Sequence, residues 1–97
     1  MGKRSLALLF TVIFFSLSLS GCHYFSAKKE IANAGKLLSE LKGAGGEKQV
    51  PYEYCSAEKF LEAANIEFSQ NDFGPAKGFA ERSKSAAEAG LAQVKKK

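Results

Sequence analysis

A chain of 97 residues, 45% hydrophobic and 11% aromatic, has material for one small domain and no more. Fourteen Lys and Arg against ten Asp and Glu give a net charge of +4, spread along the chain rather than gathered into the basic face that nucleic-acid binding needs. Two Cys, one His and no Trp exclude a disulfide framework and the usual His/Cys metal sites, so no cofactor or metal is expected.

The first 22 residues carry the strongest pattern. Lys3 and Arg4 open the chain, and residues 6–19 follow as an uncharged run of Leu, Phe, Val and Ile broken only by small or hydroxylated residues. Such a run with small residues at its exit reads as a secretory signal. Those 14 residues rise about 21 Å as a helix, short of the roughly 30 Å hydrocarbon layer, which argues against an uncleaved anchor. Leu19-Ser20-Gly21-Cys22 resembles the bacterial lipobox. The resemblance implies cleavage between Gly21 and Cys22, diacylglycerol on the Cys22 sulfur, and acylation of the freed amine. His23 stands where bacterial lipoproteins held at the inner membrane carry Asp, which by the same resemblance implies the outer membrane, periplasmic face.

Removal of residues 1–21 leaves 76, with 12 basic and 10 acidic side chains and a net charge of about +2. With Cys22 taken by lipid, Cys55 stands alone. It reads as a half-buried helix thiol, with a bridge between two copies as the alternative. Next to the anchor, His23, Tyr24 and Phe25 suit a membrane surface, where aromatics are enriched.

Residues 26–42 have helical period. Ala27, Ile31, Ala34, Leu38 and Leu41 fall on one stripe with Leu37 at its edge, and Ser26 is the expected N-cap. Three glycines within residues 43–46 predict an end to this helix and a flexible joint over 43–50. Pro51 suits the first turn of a second helix running to about Gln70, with Tyr54, Ala57, Phe60, Leu61, Ala64 and Phe68 on its apolar stripe. Cys55 and Ile66 lie on the opposite face, so this helix is expected to touch something on both sides, the first helix or a second copy.

The stretch 71–75, Asn-Asp-Phe-Gly-Pro, reads as a turn in which Asn71 takes a left-handed conformation and Asp72 caps the next helix. The third helix runs from there to the C-terminus. Ala76, Phe79, Ala80, Ser83, Ala87, Gly90, Leu91 and Val94 form its arc, and their small size lets two helices approach closely. The expected architecture is all-α: a cleaved signal helix (1–21), a lipidated Cys22 with a short tether helix and joint (22–50), and an antiparallel helical hairpin (51–97).

Within that hairpin, Pro51-Tyr52-Glu53-Tyr54, Ala57-Glu58, residues 61–64 (Leu-Glu-Ala-Ala), Asn71-Asp72-Phe73, Ala76 and Ala80-Glu81 resemble an uncharacterised family of small bacterial envelope lipoproteins. In related chains the hairpin precedes a peptidoglycan-binding domain. The hairpin is also similar to one tetratricopeptide unit, with Phe60, Ala64, Phe73 and Ala76 at its packing positions; Ala80 and Glu88 depart from that repeat, and a single unit makes no groove.

No catalytic constellation is legible. The lone His lies at the tether, and no base is placed to orient Cys55 or a Ser. A non-catalytic interaction or scaffold module of the envelope is expected, held to the membrane through lipid on Cys22 and contacting an envelope protein or another copy through Tyr52, Tyr54, Cys55 and Ile66, with Phe25 a further anchor. The alternative is an envelope spacer or peptidoglycan tether. The C-terminal Lys95-Lys96-Lys97 would contact the wall, and its last residue resembles the terminal Lys through which the murein lipoprotein is joined to peptidoglycan.

Overall fold

The computed structural model describes the backbone of residues 2–96 and the side chains of residues 5–12 and 23–96. Gly21, Cys22 and Lys97 carry the expected cleavage, lipidation and wall-linkage sites, and their side chains lie outside the described residues. The described chain is all-α, in four helices: α1 (Gly2–Gly43), α2 (Gly46–Gln49), α3 (Pro51–Ser69) and α4 (Phe73–Lys96). Signal and tether segments are one continuous helix, so Ser26 sits inside α1 and caps nothing.

α4 is the central element. α1 runs beside it and α3 returns antiparallel to both, with α1 and α3 touching each other much less than either touches α4. The packing positions are small and regularly spaced. Ala27, Ala34 and Leu41 are fully buried on α1, Ala57 and Ala64 on α3, and Ala76, Ala80, Ser83 and Ala87 on α4. Intervals of seven on α1, and of alternating three and four on α4, keep the same stripe facing a neighbour along a coiled contact. A methyl in place of a long side chain lets backbones come close, and α4 uses this on two sides at once. The hairpin expected between the second and third helices is α3 with α4; the first helix joins it on the other side of α4.

Close approach brings polar groups together as well. Ser83 is fully buried, and its Oγ donates to the Ala57 carbonyl across the α3–α4 contact at 2.6 Å. Lys84 reaches Glu30 of α1 at 3.9 Å, and the Gln93 amide donates to the Glu53 carboxylate at 2.8 Å. Among the described residues no buried side-chain polar atom lacks a partner.

Residues 43–50, expected as a flexible joint, are instead a tight corner. Gly45 takes φ 84°, a left-handed turn that glycine adopts at no steric cost, and α2 then makes one helical turn. Gly46 is buried against Leu41, so closely that a Cβ there would lie 2.5 Å from the Leu41 side chain. Val50 closes the corner, packing with Leu41 and Tyr54, and Leu38, Leu91 and Val94 complete the cluster. Glycine content pointed to entropy; the corner spends that freedom on contact.

The α3–α4 turn is shorter than the expected 71–75, because α4 already begins at Phe73, while Asn71 takes the expected conformation. Asn71 is left-handed at φ 65°, the Asn71 amide donates to the Phe68 carbonyl and the Asp72 amide to the Glu67 carbonyl. That pair of bonds is the Schellman closure of a helix end.

Candidate functional site

The three helices place the candidate residues at two ends and on one outer face. At the end nearest Cys22, four rings gather. Tyr24 of α1 lies 5.2 Å from both Phe68 of α3 and Phe73 of α4, and Phe68 and Phe73 are themselves 5.2 Å apart. Phe25 meets Tyr24 edge-on at 5.4 Å but remains 69% exposed, and Lys28 Nζ stands 6.0 Å from the Tyr24 ring. Aromatic pairs at these spacings add to the area they bury, and the cluster ties the α3–α4 turn to the start of the folded region. The sequence offered each ring singly; only antiparallel pairing with a fixed register brings the turn back beside residue 24.

Beyond that cluster, the start of α1 leaves the bundle. Leu6, Leu8, Leu9, Phe10 and Val12 are between 55% and 69% exposed, an apolar strip covered by no other element. Among the described residues no helix is long and apolar enough to cross a membrane.

The opposite end holds the Leu41–Val50–Tyr54 core cluster and the C-terminus of α4, where Lys95 and Lys96 are exposed in the last turn. Cations there face the negative end of the helix dipole.

The outer face of α3 is where the partner contacts were expected, and the structure sorts them. Tyr54 is buried and belongs to the core rather than to a contact surface. Burial, and then the Glu58 and Glu47 carboxylates, push its phenol above the ordinary value. Cys55 is exposed rather than half-buried, because the packed stripe of α3 lies at Tyr54, Ala57 and Ala64. Tyr52 is 78% exposed and Ile66 50%. The first helix does not cover this face; it meets α3 only along one edge, where Leu38 of α1 and Leu61, Glu62 and Ile66 of α3 line an open groove of about 490 Å³.

Among the described residues no group of three His, Cys, Asp or Glu side chains is placed to hold a metal ion. No family model, curated protein or solved structure matches this chain.

Proposed function

We propose that the mature protein is a lipid-anchored lipoprotein on the periplasmic face of the bacterial outer membrane, acting without catalysis as an interaction module of the envelope. The observation that carries this reading is the apolar strip from Leu6 to Val12, which stands clear of the bundle, in a sequence whose uncharged run continues to Leu19-Ser20-Gly21-Cys22. A strip that stabilises no fold is one the fold can lose, and the aromatic cluster begins with Tyr24, the third residue past the proposed cleavage point. Two or three acyl chains, at about 0.8 kcal/mol per buried methylene, hold such a domain to a bilayer.

Cys22→Ala tests the anchor. The variant is expected to accumulate as uncleaved precursor, to incorporate no labelled palmitate, and to lose the acyl-modified N-terminus that mass spectrometry finds on the natural chain. Normal labelling of the variant would end this reading.

One observation favours the tether as a second reading. α4 carries Lys95 and Lys96 to the end of the bundle away from Cys22, about 36 Å along the helix from the aromatic cluster. On that reading, muropeptide is found on Lys97 after lysozyme digestion of the wall.

A further inference from the structure

The outer face of α3 carries a second heptad seam, separate from the packed one. Tyr52, Cys55, Lys59, Glu62, Ile66 and Ser69 follow one another at intervals of three and four, and all six are exposed. Such spacing makes a straight contact line for another helix. Ala57 and Ala64, which bury α3 in its own bundle, lie on the opposite side of the helix.

The order of residues along the seam says which helix fits. The six positions mirror one another about the midpoint between Phe60 and Leu61. When a second α3 is laid antiparallel across that midpoint, Lys59 of one copy faces Glu62 of the other, and Glu62 faces Lys59. Cys55 meets Ile66, apolar on apolar, and Tyr52 meets Ser69 at each end. This is the self-complementarity that a two-fold contact demands. A parallel pairing sets Lys59 against Lys59 and Glu62 against Glu62, placing like charges together at the centre of the seam.

We propose that this chain forms an antiparallel homodimer through the outer face of α3, with Lys59 and Glu62 exchanging partners across the two-fold axis. The inference takes the interaction module proposed above and names its partner as a second copy. Within one copy, Lys59 Nζ and Glu62 Oε2 already lie 3.5 Å apart and well exposed, so both are oriented toward the seam before a partner arrives. The Leu38–Leu61–Ile66 groove flanks the seam and widens the apolar part of the contact. A seam one helix long stays below the roughly 1,200 Å² of stable complexes, so the pair is transient and is best measured by trapping it.

The register is tested by thiol crosslinking of the full-length chain, in its membrane and again in mild detergent. In this pairing the two Cys55 residues are eleven positions, about 16 Å, out of line with each other, while Cys55 faces position 66 of the partner. A short bismaleimide is therefore expected to leave the natural chain monomeric and to crosslink Ile66→Cys into a dimer. Cys55→Ser added to Ile66→Cys is expected to abolish that dimer. Adding Lys59→Glu to Ile66→Cys is expected to lower the dimer yield at least tenfold, and adding Glu62→Lys as well is expected to restore it. Crosslinking of the natural chain through Cys55 would overturn the proposal, as would a dimer surviving Cys55→Ser or a charge swap without rescue. Fractionation of the same samples reports the anchor separately, so loss of pairing and loss of lipid attachment are told apart.

Discussion

Tyr54 shows how one side chain couples the corner of the bundle to pH. Tyr54 is only 8% exposed and packs with Leu41 and Val50, with the Glu58 and Glu47 carboxylates near its hydroxyl. Burial first, then the two nearby carboxylates, favour the neutral phenol in the folded state. The unfolded chain releases this proton near the ordinary value of 10, and the folded chain only above it. The contribution is therefore complete below about pH 10 and is lost as pH rises through the higher folded value. The melting temperature is expected to fall as pH rises above about 10, and Tyr54→Phe to flatten that fall. An equal decline in both proteins would place the alkaline sensitivity elsewhere. Sequence periodicity put Tyr54 on the apolar stripe and favoured a core role, with an exposed partner contact as the other reading of a tyrosine there. Only the corner at Gly46 and Val50, which a glycine count cannot foresee, decides between them.

At the level of the helices, what the sequence made legible was the stripe, and what it hid was the neighbour. Ala76, Ala80, Ser83, Ala87 and Gly90 were readable as one face from spacing alone, and all are buried. That α4 would serve both α1 and α3 was not readable, because small residues specify close approach without naming what approaches. The same reasoning explains Cys55: opposite faces of α3 both carry apolar residues, and burial went to the face with alanines. Close packing has a measurable consequence. Ala80→Leu inserts three carbons into a site with no exposed surface and is expected to cost about 1–3 kcal/mol by overpacking. For a domain of this size that is roughly 4–8 °C of melting temperature per kcal/mol. Ala89→Leu, the same change on the exposed side of α4, is expected to move the melting temperature little. Equal effects at the two positions would mean that α4 is not wedged between two neighbours.

The whole molecule is long and thin, 70 × 20 × 14 Å, with the proposed anchor at one end of the bundle and lysines at the other. Two orientations on a membrane are open to such a shape, and the proposed readings choose differently. A wall tether stands, carrying the C-terminus about 36 Å along α4 from the aromatic cluster. An antiparallel pair places its two Cys22 ends at opposite ends of the dimer, so both lipids enter one bilayer only when the helices lie along its surface. A lying bundle keeps the C-terminus within one or two helix diameters of the lipid, roughly 10–20 Å. A fluorophore placed after Lys97 of the acylated protein, with acceptors in the bilayer, measures this directly. Efficient transfer is expected, and it should persist in the Lys59→Glu, Glu62→Lys double variant, whose pairing charges are exchanged but still matched. Weak transfer from the natural protein would mean that the bundle stands, and two standing copies on one membrane cannot pair antiparallel. The lipid and the seam thus constrain each other: where residue 22 is fixed decides which neighbours α3 can meet.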